Sequence, residues 1–233
     1  MQTASYIERR GELETYFDRT AVEAWSRLTS DAPVSRIRAT VRAGRDRMRH
    51  TLLSWLPQDM RGARLLDAGS GTGALSIEAA RRGARVVAID VAPTLIALAR
   101  ERTPRDLGAG SVDFRVGDML DPALGRFDYV VAMDSLIHYN APDCVSALAD
   151  LGARSNASIV FTFAPRTPAL AAMHAVGRLF PRKERAPAIQ PVAHKALTRQ
   201  IETEPRMRGF FVARTERIVN GFYTSQAMEL RAR

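Results

Sequence analysis

An α/β architecture is what this sequence predicts: a mostly parallel seven-stranded sheet with helices on both faces, preceded by a helical N-terminal arm. Three observations predict it. Short apolar runs alternate with helix-like stretches between residues 63 and 163, the pattern of strands joined by crossover helices. The stretch Arg64 to Glu78, RLLDAGSGTGALSIE, passes from an apolar run through glycines at alternate positions into a helical pattern. Two acids, Asp67 and Asp90, each close an apolar run, and acids at the ends of parallel strands face the crevice where such sheets bind ligands.

Taken in order, residues 5–30 read as two short helices. Tyr6, Ile7, Leu13, Tyr16 and Phe17, then Trp25 and Leu28, supply their apolar contacts. Residues 35–56 read as one helix, with Ile37, Val41, Met48, Leu52 and Leu56 roughly on one stripe. Arg36, Arg38, Arg42, Arg45, Arg47 and Arg49 take much of the remainder, and Pro33 and Pro57 bracket it. No linker-like composition separates this region, so 1–57 is expected as an arm docked on a domain spanning 58–233.

Within that domain, strands are expected at 63–67, 85–89, 111–116, 127–132 and 157–163, with helices at 74–82, 93–102 and 142–153. Asp121-Pro122 and Pro142 act as breakers at these boundaries. Residues 166–191 are rich in proline and basic side chains. Within them, 168–180 fits a short helix carrying Leu170, Met173, Val176 and Phe180 on one side. That helix reads as a lid insertion over a flat apolar ligand, as an interfacial helix, or as an ordinary surface helix. Residues 193–203 read as a helix, and 209–215 with 224–232 as an antiparallel pair closing the sheet.

The 233 residues, 46% of them hydrophobic, suit one core with terminal additions. The N-terminus lacks an apolar signal core, and no run approaches the ~20 apolar residues that span a bilayer. The single cysteine, Cys144, excludes an internal disulfide and a Cys-rich metal site. A cytoplasmic protein with no metal site of its own is expected. The net charge of +9 favours anionic partners: nucleic acid, an acidic membrane face or a carboxylate-bearing substrate. A solvated surface with a biased composition is the plain alternative. Aromatic residues, 7% of the chain, do not interleave with the arginines, which weakens a single-stranded nucleic-acid platform.

The glycine turn carries the ligand argument. Gly69, Gly71 and Gly73 lack a Cβ, so the backbone turns tightly around Ser70 and lets a ligand lie against it. The first free N–H groups of the next helix face the same place. Asp67 is placed to hold a cationic amine or bound water, which disfavours a pyrophosphate. Asp90, with Val91 beside it, is placed to accept from ribose hydroxyls. Asp-x-Gly-x-Gly-x-Gly with Asp90 downstream resembles the cofactor site of class I S-adenosylmethionine (SAM) methyltransferases, which implies a Rossmann-like fold. Gly69, Gly71 and Ala74 also fit the dinucleotide pattern G-x-G-x-x-A, and a ligand-free turn is the third reading. The SAM resemblance implies that Asp118 and Met119 meet the adenine amino group and ring. It also places Met133, at the fourth strand's end, in the cofactor site.

His138 and Tyr139 follow directly, in SLIHYN. Methyl transfer needs alignment and exclusion of water more than a strong base. A histidine can orient the acceptor, take a residual proton or set local charge, although a lone histidine also serves as a hydrogen-bonded structural residue. The Asn-Pro-Pro-Tyr of exocyclic-amine methylases is absent after the fourth strand, and Cys144 is not part of a Pro-Cys pair.

Tyr16-Phe17-Asp18 with Trp25, LLDAGSGTG, and Asp134 to Tyr139 (DSLIHY) together resemble the magnesium-protoporphyrin IX O-methyltransferase family of chlorophyll and bacteriochlorophyll synthesis, over nearly the whole chain. The resemblance implies methylation of one propionate carboxylate of Mg-protoporphyrin IX, leaving S-adenosylhomocysteine (SAH). It assigns catalytic roles to Tyr16 and His138, with an anchoring tyrosine as the alternative for the first. The magnesium belongs to the substrate. Arginines of the arm or of the 36–49 helix are expected to hold the propionate that is not methylated. A magnesium chelatase subunit and an anionic membrane face are the further partners implied. An RNA methyltransferase, on the high isoelectric point, and a non-catalytic tetrapyrrole-binding module stand as alternatives.

Overall fold

Seven strands form one sheet: β1 (Arg64–Ala68), β2 (Arg85–Asp90), β3 (Ser111–Val116), β4 (Phe127–Ala132), β5 (Ser155–Phe163), β6 (Phe210–Asn220) and β7 (Tyr223–Ala232). Their order is β3-β2-β1-β4-β5-β7-β6, parallel from β3 to β5 and antiparallel at β5–β7 and β7–β6. This computed structural model describes residues 2–20, 26, 28–29, 33, 35–166 and 188–233, without the side chains of residues 19 and 20. The helices among these are α1 (Ala4–Thr15), α2 (Arg36–Ser54), α3 (Ala74–Arg81), α4 (Pro93–Arg102), α5 (Ala141–Gly152) and α6 (His194–Thr203).

Strands β1 and β2 are buried along almost their full length, because helices cover both faces and leave no solvated side to alternate toward. One apolar layer joins α2, α3 and α4 to the sheet through Met48, Leu52, Leu75, Ala79, Ile96 and Phe114. The other joins α1, α5 and α6 through Tyr6, Leu13, Leu148, Phe161, Leu197 and Ile201. Segment 1–57 is therefore tied to the rest through α2, whose C-terminal half lies in the core.

Local chemistry explains the boundaries. Ser35 caps α2 by accepting from the Arg38 amide, and Asn140 caps α5 by accepting from the Asp143 amide at 2.9 Å. Helix α3 starts at Gly73, whose φ is +75°. Proline stands at the first turn of α4 and α5, where its missing N–H costs nothing.

Three expectations need correction. Ile37 belongs to the expected apolar stripe of α2 but is 54% exposed. The helix meets the sheet only from Thr40 onward, where Gly221 abuts the threonine side chain. Strand β5 begins at Ser155, two residues early, where the Ser155 hydroxyl donates to the Ser158 carbonyl at 3.0 Å and the register with β4 slips. Strand β6 runs on to Asn220 rather than stopping at 215. Its polar second half carries no apolar run, yet every residue from Arg214 to Asn220 pairs with β7.

Trp25 and the 168–180 helix lie outside the described residues, as does most of the second expected N-terminal helix. No helix among the described residues is long and apolar enough to cross a membrane.

Candidate active site

The C-terminal ends of β1, β2 and β4 open into a cavity whose floor is the glycine turn. Gly69, Gly71 and Gly73 all have positive φ, at 84°, 53° and 75°, a region that L side chains rarely enter. A Cβ on Gly69 would stand 2.4 Å from the Ser135 Cβ, so the first glycine also admits the β4 loop. Gly73 faces the core instead: a Cβ there would meet the Phe114 ring at 2.7 Å. The turn is held by β2, since the Gly69 and Ser70 amides donate to the Ile89 carbonyl at 2.9 and 3.0 Å.

Two carboxylates flank this floor, Asp67 buried and Asp90 partly exposed. Asp67 accepts from the Ser76 hydroxyl at 2.5 Å. Burial pushes its pKa up to about 7; Ser76's hydrogen bond opposes the rise and the charge of Asp90 adds to it. Asp90 accepts from the Gly71 amide at 2.8 Å and the Ala92 amide at 3.0 Å. Burial raises its pKa as well, against those amides. Ser70 presents, on the same floor, a buried hydroxyl with no hydrogen-bond partner among the described residues, a cost that a polar ligand would relieve.

The opposite wall comes from the arm. Tyr6 lines the cavity, stacks on Tyr139 with centroids 4.8 Å apart, and donates its phenol to Asp118 at 2.8 Å. Gln2 (2.7 Å), Arg10 and the Leu120 amide (2.9 Å) also donate to Asp118. Burial pushes the Asp118 pKa up, but these donors outweigh it and hold the carboxyl below its usual range. The arm is further fastened where Thr3 and Ser5 donate to Asp143, at 2.6 and 2.7 Å, and where the Thr94 amide donates to Asp18 at 3.0 Å.

His138 sits in a short 3₁₀ turn after β4, almost fully buried, and lines the cavity. Its ring meets Phe17 edge-on at 6.0 Å. Tyr16 opens a π-helical turn that continues α1. It meets Phe17 edge-on at 5.1 Å, and partial burial raises its phenol pKa.

Of the residues expected from sequence, the cavity brings together Asp67, Gly69, Ser70, Gly71, Asp90, Val91, Met119, Met133 and His138. Gly73, Asp118 and Tyr16 are not on its wall. Gly73 is turned to Phe114, Asp118 is covered by the arm, and Tyr16 stands behind Phe17. The sequence does not mark Tyr6 as a site residue, and it marks Asp134 only as part of the stretch after the fourth strand. Tyr6 reads as one more apolar contact in a helix. Asp134 lies inside DSLIHY but signals its placement only through its backbone, with φ at +55°. Among the described residues, no group of three or more His, Cys, Asp or Glu side chains is arranged to hold a metal ion.

The residues present suit a zwitterionic nucleoside cofactor: one carboxylate at each of two strand ends, an unpartnered hydroxyl between them, and open backbone at the turn.

The family "Magnesium-protoporphyrin IX methyltransferase C-terminus" matches residues 132–232, and a general methyltransferase domain matches residues 65–154. The chain is 51% identical over 229 residues to a magnesium-protoporphyrin O-methyltransferase of Rhodobacter capsulatus, covering 98% of this chain and 99% of that protein. It is 27% identical over 229 residues to a magnesium-protoporphyrin O-methyltransferase of Synechocystis, covering 97% and 98%. A crystal structure of magnesium protoporphyrin IX methyltransferase from Synechocystis with bound SAH superposes with a TM-score of 0.83 at 25% identity, covering 96% of this chain and 99% of that one.

Proposed function

The chain belongs to the magnesium-protoporphyrin O-methyltransferase family, and from that premise we propose how its own residues carry the reaction. It is a SAM-dependent O-methyltransferase of chlorophyll and bacteriochlorophyll synthesis, and it esterifies a propionate carboxylate of Mg-protoporphyrin IX. SAM supplies a methyl carbon on a sulfonium, and the carboxylate oxygen bonds to that carbon as the carbon–sulfur bond breaks, leaving SAH and the monomethyl ester.

Asp67 and Ser70 receive the polar end of the cofactor, and Asp90 receives its ribose hydroxyls. Val91, Met119 and Met133 enclose the purine and the thioether, and Gly69 and Gly71 keep the floor low enough for contact. Asp118, covered by the arm and off the cavity wall, anchors the arm through Tyr6, Gln2 and Arg10. His138 faces the cavity from the β4 loop, where it orients the incoming carboxylate and accepts its residual proton. Tyr16 supports Phe17, and Phe17 supports the His138 ring; the phenols on the cavity wall are Tyr6 and Tyr139. Arginines of α2 face the same space and supply the charge that a dicarboxylate substrate needs.

A single observation carries this reading. Two strand-end carboxylates, Asp67 and Asp90, and a Ser70 hydroxyl without a hydrogen-bond partner among the described residues surround a cavity that His138 also lines. The test is purified protein with SAM and either Mg-protoporphyrin IX or metal-free protoporphyrin, with ester formation followed by chromatography. Methylation of neither porphyrin would refute it.

The net charge of +9 supports contact with an anionic membrane face or with an acidic region of a magnesium chelatase subunit. Flotation with anionic against neutral vesicles tests the first, and salt-dependent co-elution with the chelatase subunits tests the second.

A further inference from the structure

We infer that Arg45 is the carboxylate-receiving residue of the cavity and that Asp134 is its positioning residue; this rests on the cofactor and substrate assigned above. Arg45 lines the cavity, its side chain is only 19% exposed, and its Nη1 donates to Asp134 Oδ2 at 2.5 Å. A guanidinium is a planar fork of five donors, so it can serve the aspartate and a second carboxylate together.

The support behind Arg45 is drawn from β5, β7 and the loop after β4. Asp134 accepts from the Tyr223 phenol at 3.1 Å on β7, from Thr162 at 3.2 Å on β5 and from Ser225 at 3.4 Å on β7. Its own amide donates to Thr162 Oγ1 at 2.7 Å. These bonds spread the aspartate's charge over three hydroxyls besides Arg45. Asp134 is also the one non-glycine residue with positive φ among the described residues, at +55°. Such a conformation persists where the surroundings over-determine it, and it concentrates at ligand clamps.

The helix is brought to this network by its neighbour in sequence. A Cβ on Gly44 would lie 2.6 Å from the Tyr223 ring. Glycine inside a helix is unfavourable, yet here it lets α2 close on β7 and delivers Arg45 to Asp134.

The cavity's other α2 arginines are differently placed. Arg49 pairs with Asp46 at 3.0 Å and with Glu78 at 2.8 Å, and Arg42 donates to the Leu28 carbonyl at 3.0 Å. The buried, unpartnered Ser70 hydroxyl on the same cavity surface gives a second, independent sign of a polar ligand. The chemistry is a carboxylate with two sources: the methionyl carboxylate of the cofactor, or the substrate propionate that is not methylated.

Calorimetric titration of Arg45→Gln separates the two. SAH carries the carboxylate and 5′-methylthioadenosine lacks it. With the cofactor as source, SAH binds ten- to a hundredfold more weakly than to wild type, as expected for losing a charged hydrogen bond, while methylthioadenosine stays within twofold. With the substrate as source, SAH is unchanged, and Mg-protoporphyrin followed by fluorescence binds correspondingly more weakly while its dimethyl ester does not. All four ligands within twofold of wild type would overturn the inference.

Arg45→Lys keeps the charge without the fork and recovers part of the loss; it also serves if the glutamine variant does not fold. Asp134→Asn narrows the preference for the carboxylate-bearing ligand over its partner several-fold. An equal loss for both members of the pair would make the network a fold support and overturn the positioning role. A wild-type protein that binds SAH but methylates no porphyrin would refute the proposed reaction and leave the SAH comparison readable.

Discussion

The two walls of the cavity are built on different principles. The floor from β1, β2 and the glycine turn is made of backbone. Its amides are bonded to β2, and its acids stand at strand ends that parallel pairing fixes in place. The arm wall is made of side chains reaching over long sequence separations: Tyr6, Gln2 and Arg10 to Asp118, Thr3 and Ser5 to Asp143, Asp18 to Thr94. A floor of backbone is rigid and tolerates almost no added atom. A wall of side-chain contacts is a sum of separate terms, each worth about 1.5–3 kcal/mol where a carboxylate accepts. Substitutions should therefore act steeply on the floor and gradually on the arm.

The largest expected effect is Gly69→Ala. Its methyl would lie 2.4 Å from the Ser135 Cβ on a backbone with φ at +84°. SAH affinity should fall at least a hundredfold, with stability down by about 2 kcal/mol, by calorimetry and thermal melting. Affinity within threefold would mean that the floor can shift, and the contrast between the walls would fail.

His138→Ala comes next, since this residue stands where the walls meet. We expect kcat to fall about a hundredfold, in line with acid–base and orienting roles, and SAH affinity to change less than threefold. Steady-state kinetics beside calorimetry separates these. Wild-type kcat would reduce His138 to a packing residue.

A pH profile sharpens the view of the floor. The Asp67 pKa in the folded protein, about 7, lies above the ordinary aspartate value of 3.8. Between those values the folded state holds a proton that the unfolded state has released. Ligand-free stability should therefore decline as pH rises from about 4 to about 7. An arriving ammonium selects the ionised form, so SAH affinity should weaken below pH 7 by up to about tenfold per pH unit. Asp67→Asn should flatten both slopes; a parallel profile in that variant would remove Asp67 as their source.

The smallest effects belong to the arm. Tyr6→Phe removes one donor from Asp118 and should weaken SAH binding about three- to tenfold. Tyr16→Phe keeps the ring against Phe17 and should leave kcat within threefold. A tenfold loss of kcat in Tyr16→Phe would return its phenol to a catalytic role and make the arm the more demanding wall.

The floor was also the more legible wall. Asp67, Ser70 and Asp90 could be placed because strand, turn and helix are contiguous and local sterics fix their geometry. The arm was legible only as apolar spacing. Tyr6 is written like any other buried aromatic, and its bond to Asp118 crosses 112 positions of sequence. Asp134 follows the same rule, since its partners Arg45, Thr162, Tyr223 and Ser225 come from three separate elements.

By itself the sequence determined the alternation of strands and helices, the sheet they make, the glycine turn after the first strand and the family. Those are properties of short range and period, written into consecutive residues. Only the tertiary structure decided which aromatics reach the cavity, which acid the arm covers and which arginine Asp134 holds. Each of those depends on where distant elements stop against one another, and that is set by the packing of the whole core.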